Sequence, residues 1–456
     1  MIPLPAFSRP LVAMMVLVAP AEACFTPQRA EVLQKTHPDR DFVTLSHHMH
    51  HQQPIDYEFL GPAPCVDGQA AEFPCRGIEL AGWLNLTELG ADLATTGSDN
   101  WGWRDSESGR LFALMGRSDG VSFVEMTDPA DPVLIGHLPR PEGVASSVWT
   151  DLKTYRDHLF VVADTVTGQG LQVFDLRRLL NPAEPLPLRF DADAHYTGFN
   201  AAHNLAINEQ TGFAYAVGGD ACSGGLNMID IRDPLEPAFA GCFDEDGYTH
   251  DVQCVLYQGP DERYRGQEIC FASNEDTLTI VDVTDKANPR LIERHAYPRS
   301  AYTHQGWLTA DQRFFVLDDE LDEVEFDLTG TRTLIFDFER LDVAPAPAEY
   351  VADGLAIDHN QYVFDGFTFQ ANYERGLRIL RIDDPKSADL TEVAYFDTHP
   401  EADGLRFRGA WNVFPFFGNG LLLVSDFNRG LFVLRVTDPD LLEALKSIFR
   451  DRYESV

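Results

Sequence analysis

The chain has 456 residues, 44% of them hydrophobic, with 34 Gly and 28 Pro, a composition that supports a large core and many short strands joined by turns. It carries 35 Lys and Arg against 72 Asp and Glu, a net charge of −37. That charge repels phosphate, which excludes nucleic acid and an anionic membrane surface as partners.

Residues 1–23 have the pattern of a secretory signal: Arg9, an apolar run over 11–19, then Ala21 and Ala23 around Glu22 just before Cys24. Small residues at those two positions mark a cleavage site. The run is too short to span a bilayer, and no later segment reaches the roughly 20 apolar residues that a transmembrane helix needs. The expectation is an exported protein: secreted, periplasmic or cell-surface-associated. Seven cysteines in an oxidising compartment imply disulfides with one thiol over. Cys65 with Cys75, Cys222 with Cys242, and Cys254 with Cys270 are the candidate pairs, and Cys24 is the odd one. Buried free thiols are the alternative for each pair.

Residues 24–77 form an N-terminal extension without clear periodicity that holds the disulfide loop of Cys65 and Cys75. Its cluster His47-His48-Met49-His50-His51 can trap a transition metal or form a polar segment.

From residue 78 to 439 a unit recurs seven times. Each copy has a short aliphatic strand with a polar residue near its end: Glu125, Asp175, Asp230, Asp282, Asp337, Arg381 and Arg435. These markers lie 44 to 55 residues apart, the period of a β-propeller blade with several strands per unit. The sequence therefore predicts an all-β, seven-bladed β-propeller. In the second unit, residues 148–152, 159–163, 171–176 and 186–190 read as a four-stranded meander. The last unit lacks a fourth strand, and residues 78–86 have the pattern of an outer strand with no blade before it. They are predicted to complete the seventh blade and close the ring. Residues 440–456 place Leu441, Leu442, Leu445, Ile448 and Phe449 at helical spacing, which predicts a short C-terminal amphipathic helix.

Aligning the first strand of each unit on the start of its second puts Trp101, Trp149, His203, His304 and Trp411 each ten residues before Leu111, Leu159, Phe213, Phe314 and Leu421. His250 and His359 fall at the corresponding strand start in the remaining units. The second strands run back antiparallel and finish with Asp164, Asp220, Asp276, Asp318 and Asp426, so imidazoles, indoles and carboxylates share one mouth of the channel. Converging imidazoles bind zinc, copper or iron, with carboxylates fixing their tautomers. His203, His250, His304 and His359 are thus the candidate metal ligands, and the Trp and Asp residues are candidate ligand contacts. The same repetition also suits hydrogen-bonded spacers between blades. The acidic runs 244–247 and 318–323 offer hard oxygens for Ca2+ without matching an EF-hand loop. No phosphate-binding loop and no Gly-x-Ser-x-Gly elbow is present in the sequence.

The stretches Asn100-Trp101-Gly102-Trp103, Ala202-His203-Asn204, Tyr248-Thr249-His250-Asp251, Asn274-Glu275-Asp276-Thr277, His304-Gln305-Gly306-Trp307, Asp358-His359-Asn360 and Gly430-Leu431-Phe432-Val433-Leu434 together resemble the choice-of-anchor B family of exported proteins with LVIVD-type repeats. The resemblance runs from about Cys65 to Val436. It implies a secreted or cell-surface β-propeller whose relatives differ in how their C-termini are anchored. The charged C-terminal helix here favours a soluble secreted or periplasmic protein. The function expected is a binding or interaction module for a protein, glycan or small molecule, with a metal or ligand site at one mouth of the channel. The alternative is a metal-dependent oxidoreductase using the histidine cluster.

Overall fold

A computed structural model of the chain describes residues 61–183, 185–343 and 346–453. The expected signal segment, Cys24 and the 47–51 histidine cluster lie outside them. Among the described residues, seven sheets form a ring, the seven-bladed propeller that the repeats predict. The innermost strands, in blade order, are Gly97–Arg104, Thr150–Tyr155, Asn204–Asn208, Asp251–Leu256, Thr303–Leu308, Asn360–Phe364 and Ala410–Phe414.

The recurring unit owes its pattern to packing on both faces. In Leu171–Asp175, Leu226–Asp230 and Leu278–Asp282, all four residues before the aspartate are buried. A sheet packed between two neighbours requires apolar side chains on both sides. The terminal aspartate turns the chain: the Oδ1 atoms of Asp175, Asp230 and Asp282 each accept the backbone N–H two residues on, at 3.0 Å. This local bond supplies a turn at no cost to the ladder.

Ile78–Leu84 pairs antiparallel with Gly430–Val436 as the outer strand of blade 7, in the register Ile78↔Val436 and Leu84↔Leu431. The preceding strands Gln69–Ala70 and Phe73–Arg76 extend blade 6, Cys75 standing opposite Phe396. The C-terminal helix Pro439–Tyr453 buries Leu441 and Leu445 against the same core as blade 7. Three disulfides form: Cys65–Cys75, Cys222–Cys242 and Cys254–Cys270. They suit an extracellular or periplasmic setting. No helix among the described residues is long and apolar enough to cross a membrane.

One strand assignment is corrected. Residues 186–190 are not the fourth strand of blade 2, a place taken by Ala194–Tyr196. Leu188–Arg189 instead runs parallel to Val133–Pro139 as a fifth strand of blade 1. Gly136 permits this approach, since a Cβ there would stand 2.4 Å from the Leu188 carbonyl oxygen. Phe190 then fills the gap between the blades, its ring 5.7 Å from Phe123 and 5.1 Å from Phe174. The apolar pattern of the segment is satisfied by burial between two sheets rather than within one.

Candidate metal centre at one end of the channel

His203, His250 and His359 immediately precede the innermost strands of blades 3, 4 and 6, His304 is the second residue of that of blade 5, and these rings form a row. Successive centroids lie 4.5, 4.2 and 4.7 Å apart. Trp149 flanks the row at 6.1 Å from His203, and Trp411 at 4.7 Å from His359. Six blades thus supply the ring of side chains that the alignment anticipates.

Blade 1 does not supply its tryptophan. Arg104 opposes Leu111 whereas Thr154 opposes Leu159, so the first hairpin turn is longer, and a bulge follows between Gly97 and Asn100. Counting back ten residues from Leu111 therefore stops short of the ring position. Ser98 holds the ring position, accepting the Thr150 N–H at 3.0 Å and donating to the Val148 carbonyl at 2.8 Å. Trp101 lies farther down the channel, against Phe414 and Phe416.

Each histidine has its Nδ1 engaged. His203 meets Asp164 Oδ2 at 3.0 Å, and His304 meets Asp318 Oδ1 at 2.8 Å. His250 meets the His304 carbonyl at 2.9 Å, and His359 the Trp411 carbonyl at 2.5 Å. A carbonyl or an ionised carboxylate accepts and does not donate, and Asp318 Oδ1 already accepts the Gln305 N–H at 3.0 Å, so Nδ1 carries the hydrogen and Nε2 keeps its lone pair. Burial depresses the basicity of these rings: His250 and His304 are held well below the ordinary histidine range and His359 falls to about 3. All three are neutral at physiological pH, the form that binds metals.

Glu320 completes the set. It follows the strand Phe314–Asp319, and its Oε2 lies 3.9 Å from His304 Nε2 and its Oε1 3.7 Å from His359 Nε2. The three donor atoms lie within 4.8 Å of one another, and all three residues are buried. Donors sharing a tetrahedral ion at ~2.05 Å would lie about 3.3 Å apart, so a small side-chain adjustment closes the site. Tyr373 Oη donates to Glu320 Oε1 at 2.9 Å and orients the carboxylate. His304 Nε2 is buried with no hydrogen-bond partner among the described residues, although buried polar atoms are ordinarily satisfied. This group can hold a metal ion. His203 and His250 continue the row beyond it and do not join the three.

The site is covered. Leu321 and Val324, on and before the short helix Asp322–Glu325, pack with Trp149, Tyr302, Phe407 and Phe427 in an apolar cluster at this end. Burial and the neighbouring Asp358 hold the Asp318 carboxyl well above the usual range. A cation bound beside it would restore its charge.

The remaining predicted carboxylates have other tasks. Asp220 accepts the Asn200 and Ala201 N–H groups at 2.9 and 3.1 Å. Asp426 accepts those of Asn428 and Arg429, both at 2.9 Å. Asp276 is exposed beside Thr277. Nor do the acidic runs assemble a calcium site. Asp246 is engaged by Asn274, Thr279 and Arg294, and Asp319 by Tyr297, Ala301 and Tyr302. Within 318–323, only Glu320 belongs to a three-donor group. The sequence places Asp318, Asp319 and Glu320 together at the finish of this strand, but the candidate drawn from that run is Asp318, which instead meets His304 Nδ1. The available signal for Glu320 was alternation: two residues on from Asp318, Glu320 continues the same side of the strand.

No family model and no curated protein matches the chain. Among solved structures, it is similar to the Cps50 (Swd1) β-propeller domain of Myceliophteria thermophila at 12% identity and TM-score 0.46, covering 75% of this chain and 96% of that one. It is similar to Kuenenia stuttgartiensis hydrazine synthase at 13% identity and TM-score 0.48, covering 73% and 94%. The computationally designed protein Ika8 matches at 9% identity and TM-score 0.46, covering 85% and 100%.

Proposed function

We propose that this chain is an exported β-propeller of the choice-of-anchor B type that acts as a binding module, with a transition metal held by His304, His359 and Glu320. The observation that carries this reading is the buried three-donor group, whose histidines are neutral and have their tautomers set by Nδ1 partners. A donor set of two imidazoles and one carboxylate suits Zn2+ or Fe2+. Its position under an apolar cap favours a metal that braces blades 5 and 6. The partner is a protein, a glycan or a small molecule.

A second reading, a metal-dependent oxidoreductase, has one observation in its favour: three protein donors leave coordination positions for a substrate. The burial of His304 and Glu320 weighs against it, because a substrate would need a path through the cap. Elemental analysis of untagged protein, alone and with His304→Ala plus His359→Ala, tests the shared premise. About one equivalent of metal in the native chain and less than about a tenth in the variant is expected. Less than about a tenth in the native chain after loading would overturn both readings. Metal-dependent turnover lost in Glu320→Gln, with the fold intact, would favour the enzyme.

A further inference from the structure

Farther along the channel from the histidine row is a cavity of ≈ 380 Å3, within the range of small-molecule sites. Trp101, Trp307, Tyr362 and Phe416 form an aromatic wall. Tyr362 lies 5.9, 5.0 and 5.4 Å from Trp101, Trp307 and Phe416, each nearly edge-on. Lys153 and Asp251 line the same space.

The charges in this space do not balance. Lys153 Nζ is bound by Asp151 at 2.6 Å and Asp99 at 3.1 Å, and it stands 4.8 Å over the Trp101 ring. Burial and the hydrogen bond with Asp151 hold the Asp99 carboxyl well above the usual range, so Lys153 already matches the charge of this pair. Asp251 adds a third carboxyl, its Oδ1 accepting the Val252 N–H at 2.5 Å, and no ion pair joins it to a cation among the described residues. Burial and Asp151 raise its carboxyl to about 7, as expected of an acid short of a counter-ion.

We propose that this cavity binds a small organic cation, an amine or a quaternary ammonium, seated between the Asp251 carboxylate and the aromatic wall. Lys153 already makes the same pair of contacts, an ammonium between carboxylates and an indole face. Cation–π attraction strengthens where water is excluded, and a carboxylate removes the neutral and anionic competitors. An anion would meet Asp251 with like charge, and a neutral ligand would leave it uncompensated. The proposal does not depend on the metal centre, which uses other residues.

The test is calorimetric titration and tryptophan fluorescence on the full exported chain, metal-stripped and metal-loaded. The probes are choline and benzylamine against their neutral counterparts 3,3-dimethylbutan-1-ol and benzyl alcohol. Each cation is expected to bind at least about tenfold more tightly than its counterpart, a difference of about 1.4 kcal/mol. Asp251→Asn should abolish that preference, and Trp307→Leu should weaken choline at least about tenfold while keeping a single cooperative unfolding transition. Should Asp251→Asn not fold, Trp307→Leu carries the test. Equal binding of cation and neutral counterpart, no cation binding up to about 10 mM, or affinity unchanged in the folded variants would overturn the proposal. So would cation binding that appears only in metal-loaded protein.

Discussion

His359 shows how one residue is committed before any ligand arrives. Its Nδ1 hydrogen is taken by the Trp411 carbonyl, which leaves Nε2 facing Glu320, and burial keeps the ring neutral. Asp251 is the opposite case, a group whose charge the fold does not compensate. Its folded carboxyl titrates at about 7 against an ordinary 3.8. The folded state therefore keeps a proton that the unfolded state releases. The stability linked to that proton is complete below pH ~4 and is lost as pH rises through 7. Asp251→Asn removes the loss. Urea unfolding at pH 4 and pH 8 should show the variant level with the native chain at pH 4 and more stable by about 2 kcal/mol at pH 8, a value discounted for the partial exposure of the group. A native chain equally stable at both pH values relative to the variant would contradict this account.

At the scale of the element, the short helix Asp322–Glu325 is held by Arg332. The guanidinium, fully buried, meets Asp322 Oδ2 at 2.5 Å and donates to the Arg299 carbonyl at 2.7 Å, while its backbone N–H donates to Glu323 at 2.8 Å. Asp322, Glu323 and Asp358 are all buried nearby, where burial and neighbouring carboxylates hold their carboxyls above the usual range, and Arg332 pairs with Asp322. Arg332→Met should destabilise the protein by about 3–5 kcal/mol, since removing one partner of a buried pair leaves a carboxylate in low dielectric. Denaturant unfolding measures it, and a loss below about 1 kcal/mol would mean that these carboxyls are protonated and need no partner. The sequence revealed the elements themselves better than such dependencies. Strands such as Leu278–Asp282 were legible because burial on both faces and an aspartate turn are local properties that repeat. The histidine row was legible through the same repetition. Trp101 falls short of the ring because a bulge and a longer turn shift register without altering composition, and residues 186–190 join blade 1 because an apolar segment is satisfied equally by burial between two sheets. Arg332 gave no signal, because Asp322 and Glu323 reach it from a short helix inserted between two strands of its own blade, an excursion that the repeat pattern does not mark.

At the scale of the molecule, the ring is joined by the start of the described chain across blades 6 and 7. Phe73–Arg76 lies on blade 6 and Ile78–Leu84 on blade 7, so a single segment crosses the seam. Phe73 packs 5.5 Å from Phe396 of blade 6 and 5.2 Å from Phe432 of blade 7, and Trp83 stacks on Phe432 at 5.4 Å. The Trp83 indole N–H donates to the Arg429 carbonyl at 2.9 Å. In a ring closed this way each blade is held by two neighbours, and only the short outer edge of each sheet is left. Opening it exposes one edge of blade 7 and removes the support of blade 6 together, so the effect should reach every blade. Deleting residues 78–86 is expected to replace one cooperative calorimetric transition by a broad one at lower temperature. Trp83→Ala, which keeps the strand, should cost about 3–5 kcal/mol while preserving a single transition. A deletion variant with an unchanged, cooperative transition would show that the seam carries little of the fold, and that blades 1 to 6 stand without it.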